Sequence, residues 1–222
     1  MRSTDFIKIA PSILSADFAL LDSEIKSVAS ADLLHVDVMD GLFVPNITIG
    51  IPVVKSIRKH TDMTLDVHLM IDRPIRYVED FAKAGADILT IHAESDTFEN
   101  TFAALARIKD LGMMAGLAFR PHTDMLQYTM LYQVLDYMVI MGVEPGFGGQ
   151  AFMEDTPARI RTAKSLLEIT NTECEIEVDG GVNVHTASLC ASAGAGILVA
   201  GSAVFGAPDR AQAIADIRNL GM

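Results

Sequence analysis

Histidine and aspartate residues end three of the apolar runs in this sequence. His35 and Asp37 are two residues apart, so they share one face of a strand. His68 ends the next run, and Asp179 ends the seventh. Polar groups in a buried strand are costly unless they are paired or bind a metal ion. A hydrogen-bonded pair is the alternative for one motif alone. Two imidazoles and two carboxylates converging from three strands favour a divalent first-row ion such as zinc, manganese, cobalt or iron.

Glycine-rich segments follow the last three apolar runs. They are Gly146-Phe147-Gly148-Gly149, Gly180-Gly181 and Gly201-Ser202. Glycine allows backbone N–H groups to point at an anion, and barrel enzymes commonly hold phosphate at the last two strand–helix loops. Tight turns are the alternative for any one loop, but three such loops together favour phosphate binding. The segments match neither a Walker A loop nor the Rossmann GxGxxG pattern.

Eight short apolar runs alternate with segments of helical length. The runs are apolar at both parities, which is typical of parallel strands buried on both faces. The predicted strands are residues 7–14, 33–39, 64–70, 88–92, 114–119, 137–142, 174–178 and 197–200. The predicted helices are residues 18–29, 52–59, 75–84, 98–111, 125–134, 157–168, 184–193 and 210–220. We therefore predict an α/β fold, a (β/α)8 TIM barrel formed by residues 1–222 as a single domain. A doubly wound open sheet is the alternative.

The bulk composition limits the classes of partner. Half of the 222 residues are hydrophobic, with no apolar stretch long enough to span a membrane and no secretory signal, so a soluble cytoplasmic protein is expected. The formal charge of −12 would repel nucleic acid. A small anion remains compatible, because backbone amides and helix amino termini supply local positive potential. Cys174 and Cys190 lack a CxxC spacing, which favours small buried residues over metal ligands or a disulfide.

Six segments together resemble the ribulose-phosphate 3-epimerase family, in the family's order, over roughly residues 7–206. The first three are Ala10-Pro11-Ser12-Ile13-Leu14, Leu34-His35-Val36-Asp37-Val38-Met39-Asp40-Gly41 with Phe43-Val44-Pro45-Asn46, and Asp66-Val67-His68-Leu69-Met70. The others are Val143-Glu144-Pro145-Gly146-Phe147-Gly148-Gly149-Gln150, Glu177-Val178-Asp179-Gly180-Gly181 and Gly201-Ser202-Ala203-Val204-Phe205.

The resemblance implies one divalent metal ion per subunit, with zinc first and manganese, cobalt or iron as alternatives. It implies His35, Asp37, His68 and Asp179 as the ligands. Asp37 and Asp179 are also implied as the acid–base pair, because epimerisation beside a ketone removes a proton from one face of a carbon and returns one to the other. The metal would stabilise the enediolate charge as a Lewis acid. The residues implied to contact the substrate are Ser12, His68, Met39, Met70 and Met141.

Two positions depart from the family's usual pattern. Gly142 stands where a serine or threonine is usual, and Arg120 stands in place of an asparagine. A lost hydroxyl and a gained cation could alter sugar recognition, although a salt bridge at the barrel rim is the preferred interpretation of Arg120. His92 and Glu94, at the end of the fourth strand, are expected to hydrogen-bond there rather than to bind the metal. Asp66, Glu175 and Glu177 receive no role.

The resemblance implies interconversion of D-ribulose 5-phosphate and D-xylulose 5-phosphate in the pentose phosphate pathway, by a homo-oligomer (a dimer or a hexamer). A 3-epimerase of D-allulose 6-phosphate is the alternative, with the same residues in the same roles. A non-catalytic barrel that senses a sugar phosphate is a further alternative, but it would need neither acid–base carboxylate. A Schiff-base aldolase would need a lysine at a strand end, and Lys8 lies at the wrong end of the first strand.

Overall fold

Eight parallel strands form one sheet in the computed structural model, which describes residues 6–220. They are β1 Lys8–Pro11, β2 Leu33–Met39, β3 Thr64–Met70, β4 Ile88–His92, β5 Met114–Phe119, β6 Tyr137–Met141, β7 Glu175–Asp179 and β8 Ile197–Ala200. Strands β2 to β8 pair in chain order and β8 pairs with β1. A parallel bridge between Ser12 and His35 joins β1 to β2, so the sheet closes on itself. The predicted (β/α)8 barrel is confirmed.

Helices cover the outside of the sheet. They are α1 Leu21–Ser27, α2 Ile51–Ile57, α3 Val78–Ala84, α4 Phe98–Asp110, α5 Thr156–Ile169, α6 Val184–Ala193, α7 Ser202–Phe205 and α8 Arg210–Leu220. The predicted bounds of 184–193 and 210–220 are confirmed, and most other helices begin or end within two residues of the prediction. The four-residue α7 was not predicted. Within residues 6–220, no helix has both the length and the apolar character that crossing a bilayer requires.

The helix predicted over residues 125–134 has these bounds in the structure, but it is a 3-10 helix and not an α-helix. Four of its inward residues recur every three positions, at Met125, Tyr128, Leu131 and Val134, and Tyr132 beside them is also buried. This period suits the three residues per turn of a 3-10 helix. Residues 18–29 likewise divide into a 3-10 turn, Phe18–Leu20, and α1. Residues 75–84 divide in the same way, because a 3-10 turn ends at Arg76, two residues before α3 begins.

The predicted strand 7–14 ends early, at Pro11. Ser12 instead caps a 3-10 helix over residues 13–15, and its hydroxyl accepts the N–H of Leu14 at 3.3 Å. The sixth strand ends at Met141 rather than at residue 142. The seventh is shifted by one residue, which places Asp179 inside β7. These strand ends determine where each site residue lies along the barrel axis at its carboxyl end.

Three aspartates tie neighbouring strands together at the amino-terminal end of the barrel. Each of them precedes a strand and accepts the backbone N–H of a residue in the preceding odd-numbered strand. The bonds join Asp32 to Ile9, Asp87 to Leu65 and Asp136 to Ala115, at 2.8 to 2.9 Å. A cation partners each carboxylate, namely Arg218, Arg58 and Lys109. This end of the barrel is therefore built for stability, which leaves the carboxyl end free for chemistry.

Candidate active site

Four polar side chains meet at the carboxyl end of the barrel. The register of β2 and β3 sets Asp37 beside His68, and Asp179 reaches them from β7. The Nε2 atom of His35 lies 3.3 Å from Oδ1 of Asp37 and 3.8 Å from Oδ2 of Asp179. The Nδ1 atom of His68 lies 3.5 Å from Oδ1 of Asp37 and 3.2 Å from Oδ2 of Asp179. One atom from each of the four residues thus lies within 4.8 Å of all the others.

The inner nitrogens of both histidines suit a metal ion. Among residues 6–220, neither Nε2 of His35 nor Nδ1 of His68 has a hydrogen-bond partner, although both atoms are buried. A buried polar atom left in this way is costly. Burial alone would lower the pKa of His35, but the carboxylates of Asp66 and Asp37 outweigh burial and raise that pKa well above its usual value. The cluster of His35, Asp37, His68 and Asp179, called the centre below, therefore attracts positive charge. Its two nitrogens and two carboxylates fit a divalent ion.

A buried carboxylate holds the outer nitrogen of His35. Oδ2 of Asp66, a fully buried side chain, lies 2.5 Å from Nδ1 of His35. An ionised carboxylate can only accept, so Nδ1 carries a proton, and Nε2 faces the centre, where a metal ion would replace any second proton of the ring. Burial, together with the charge of Asp66, raises the pKa of Glu177 well above its usual value. Glu175 lies at the opposite end of the barrel, where Lys8 binds both of its oxygens at 2.8 Å.

His92 and Glu94 lie on the far side of His68. His92 Nδ1 is 3.2 Å from Oε2 of Glu94, as the expected hydrogen-bonding role requires. Burial lowers the pKa of His92 to about 4, so the ring is neutral. Burial alone would raise the pKa of Glu94, but hydrogen bonds from His92 and from the hydroxyl of Thr123 outweigh it and lower that pKa. The pair is therefore a neutral imidazole beside an ionised carboxylate.

A cavity opens above the two aspartates. Ser12 lies at its edge, and its hydroxyl donates to Oδ2 of Asp37 at 2.5 Å. This contact fixes the carboxylate with Oδ1 towards the imidazoles. The apolar residues expected around the substrate also line the cavity: Met39, Met70 and Met141. So does every residue of the three predicted phosphate loops: Gly146, Phe147, Gly148, Gly149, Gly180, Gly181, Gly201 and Ser202.

The loop after β7 depends on glycine. Gly181 has φ +71°, and a Cβ there would lie 2.7 Å from the Cα of Phe152. We expect Gly181→Ala to lower the free energy of unfolding by about 1–3 kcal/mol, because the backbone must leave its left-handed conformation. The Michaelis constant for a phosphorylated substrate should rise more than kcat falls. Urea unfolding and steady-state kinetics measure the two effects.

Gly196→Ala is the matched control for that substitution. A Cβ at Gly196 would meet nothing within 4 Å, and its φ lies outside the left-handed region. We expect a change in unfolding free energy of no more than about 0.5 kcal/mol, with unchanged kinetics. Equal behaviour of the two variants would contradict the assigned role of the loop.

The two departures from the family pattern have structural explanations. A Cβ at Gly142 would lie 2.3 Å from the carbonyl oxygen of Gly180, so the missing side chain lets β6 approach the loop after β7. The salt bridge expected for Arg120 is wrong, since the contacts of its guanidinium among residues 6–220 are with Phe43 and not with a carboxylate. Its Nη2 donates to the carbonyl of Phe43 at 2.8 Å, and the guanidinium lies 4.3 Å from the centre of the Phe43 ring. The ring face and the carbonyl replace a carboxylate as partners.

The fold and the site define an enzyme class, a (β/α)8-barrel enzyme with paired carboxylates beside a glycine-lined cavity. The family model described as the ribulose-phosphate 3 epimerase family matches residues 8–205. The chain belongs to this family, and it is therefore an epimerase, which is a kind of isomerase.

Named relatives cover nearly the whole chain. The ribulose-phosphate 3-epimerase of Bacillus subtilis is 51% identical over 215 residues, which is 96% of this chain and 98% of that protein. The enzyme of the same name from Synechocystis is 50% identical, covering 96% and 94% of the two chains. Among solved structures, 3-keto-L-gulonate-6-phosphate decarboxylase from Vibrio cholerae has a TM-score of 0.74 at 15% identity, covering 97% of each chain. The 3-hexulose-6-phosphate synthase from Salmonella typhimurium has a TM-score of 0.72 at 18% identity, covering 97% and 98%. At such identity the structures support the fold alone.

Proposed function

We propose that the chain interconverts D-ribulose 5-phosphate and D-xylulose 5-phosphate by epimerisation at C3. The observation that carries this proposal is the placement of Asp37 and Asp179, which face one cavity from β2 and β7. These strands are separated by β1 and β8 on one side of the barrel, so the carboxylates approach the cavity from different directions. Inversion at a carbon beside a ketone needs a proton acceptor on one face and a donor on the other. The names of the relatives support the same reaction.

In this mechanism each aspartate has one oxygen for the centre and one for proton transfer. One of the two carboxylates takes the C3 proton, and the other returns a proton to the opposite face. The roles exchange in the reverse direction. Ser12 holds Asp37 in the required orientation through its 2.5 Å hydrogen bond. Asp179 is 13% exposed, against 5% for Asp37, so it is the more open of the two carboxylates towards the cavity.

The remaining residues bind and shield the sugar phosphate. Backbone N–H groups of the loops after β6, β7 and β8 would receive the phosphate, so no cationic side chain is required there. Met39, Met70 and Met141 would cover the reacting carbon with apolar surface and exclude water from it.

We also propose that His35, His68, Asp37 and Asp179 hold one divalent ion per subunit, with zinc first and manganese, cobalt or iron as alternatives. When bound, the ion would stabilise the negative charge that develops on the sugar oxygens as the C3 proton leaves. The cytoplasmic location, the pathway and the homo-oligomer stay predictions.

Proton NMR in D2O tests the substrate. The purified, metal-loaded protein should introduce deuterium at C3 of D-ribulose 5-phosphate while xylulose 5-phosphate forms. With D-allulose 6-phosphate we expect kcat/KM to be lower by at least about tenfold, since one additional carbon must fit between the centre and the phosphate loops. A higher kcat/KM for the hexulose would establish the alternative substrate. Absence of exchange with both sugars would contradict the epimerase mechanism at this site.

A further inference from the structure

A line of hydrogen bonds runs from His68 away from the four-residue centre. The Nε2 atoms of His68 and His92 lie 2.9 Å apart, and both rings are fully buried. The other nitrogen of His92 faces Glu94, which lies in the loop after β4. None of these contacts involves the cavity that would hold the sugar, because neither His92 nor Glu94 lines it.

The hydrogen bonds that Glu94 accepts determine which atom is the donor in each bond of this line. Oε1 of Glu94 accepts the backbone N–H of Arg120 at 2.9 Å and also the hydroxyl of Thr123. The carboxylate is therefore an acceptor on every side, and the Nδ1 atom of His92 must donate to it. His92 is fully buried with one carboxylate partner, and an imidazole that carries one proton and donates it from Nδ1 can only accept at Nε2. His68 must then donate from its own Nε2 and keep the lone pair at Nδ1.

That lone pair is directed at the two aspartates. Nδ1 of His68 is the atom that lies 3.2 Å from Asp179 and 3.5 Å from Asp37. The opposite tautomer of His68 would place a proton at this position and close it to a metal ion. His35 is fixed in the same sense by Asp66 directly, whereas the imidazole of His92 lies between Nε2 of His68 and the carboxylate of Glu94.

We propose that Glu94 and His92 are positioning residues that fix the tautomer of His68 and thereby prepare the centre for a metal ion. The inference rests on the proposed metal-dependent function. Side chains packed around His92 hold this line of hydrogen bonds in place. The centre of the Phe43 ring lies 4.9 Å from that of the His92 ring, and the Arg120 guanidinium lies 4.3 Å from the centre of the Phe43 ring. Water is thereby kept from replacing His92 as the partner of His68.

Glu94→Gln tests the proposal. An amide has one acceptor and one donor group, so keeping the Arg120 N–H satisfied turns its NH2 towards His92. Residue 94 then donates to His92, and His92 donates to His68, which is the reverse of both wild-type bonds. In metal-free protein labelled with 15N-histidine, at a pH high enough for both rings to be neutral, long-range proton–nitrogen spectra should show wild-type His92 protonated at Nδ1 and wild-type His68 at Nε2. In Glu94→Gln both should change tautomer, and the dissociation constant for zinc, measured by chelator competition, should rise about 10- to 100-fold.

Thr123→Val is the matched control, because it removes another hydrogen bond of Glu94 but keeps the charge. It should retain both tautomers and bind zinc within twofold of the wild type. A wild-type His92 protonated at Nε2 would overturn the proposal, even if Glu94→Gln fails to fold. So would a Glu94→Gln variant that binds zinc as the wild type does. The tautomers are read without metal, so wild-type protein that binds no zinc would contradict the proposed function separately.

Discussion

Asp37→Asn and Asp179→Asn are each expected to lower kcat for epimerisation by about 10³-fold or more, within the usual contribution of a positioned acid or base. Asparagine is close in size to aspartate and neutral, so the barrel should fold, but its amide cannot accept the C3 proton. The two aspartates approach the cavity from β2 and β7, and neither replaces the other. Coupled-enzyme assays in both directions measure the loss.

Isotope exchange separates the two aspartates. If each acts on one face of C3, a single variant should still exchange the C3 hydrogen of one epimer with D2O and lose exchange with the other. The two variants should show opposite preferences. NMR of each epimer incubated separately records the exchange, and the metal content of each variant must be measured because both residues are proposed ligands.

Glu144→Gln provides the matched control for the charge change. This residue lies at the mouth of the same cavity, and its side chain is 48% exposed. It should keep kcat within about threefold of the wild type, as expected for an exposed residue away from the reacting groups. Wild-type turnover in both aspartate variants would contradict the acid–base assignment.

The barrel could be predicted because its strands are buried on both faces. Continuous apolar runs bounded by turn residues gave the bounds of β2 and β3 without error, and alternation along β2 placed His35 and Asp37 on one face. The largest strand error occurred where a polar residue competed with the strand. Ser12 ends β1 because its hydroxyl caps the following turn, a local contact that an apolar pattern does not register.

The outer hydrogen bonds of the centre were harder to predict. Asp66 has the same parity as His68, so the sequence contained a signal for it. Its contact with His35, however, depends on the register between β2 and β3. Glu94 receives a backbone N–H from a residue 26 positions later, and no local pattern encodes such a pair. Arg120 shows the same limit, since a cation in sequence favours a carboxylate partner, whereas the fold offers it a carbonyl and an aromatic ring.

Removing the proposed metal ion is expected to abolish epimerisation and to lower the melting temperature. Without an ion, the inner nitrogens of His35 and His68 have no partner among residues 6–220, and two carboxylates face them. An ion present at about 1,000 times its dissociation constant adds roughly 4 kcal/mol to the free energy of unfolding. For a chain of this size that corresponds to roughly 8–16 °C in melting temperature. Calorimetry before and after chelation, with activity measured beside it, checks both effects.

Substituting one of the proposed metal-binding residues tests whether the stabilisation by metal arises at this centre. His68→Gln should melt at nearly the same temperature with and without added zinc, because one nitrogen ligand is lost. His122→Gln should keep the full response, since His122 is 81% exposed and lies away from the centre. Adding zinc, manganese, cobalt or iron(II) singly to the chelated protein should restore turnover to different extents, which identifies the ion that the centre prefers. A chelated protein with wild-type turnover and melting temperature would show that these four residues form a hydrogen-bonded cluster and not a metal site.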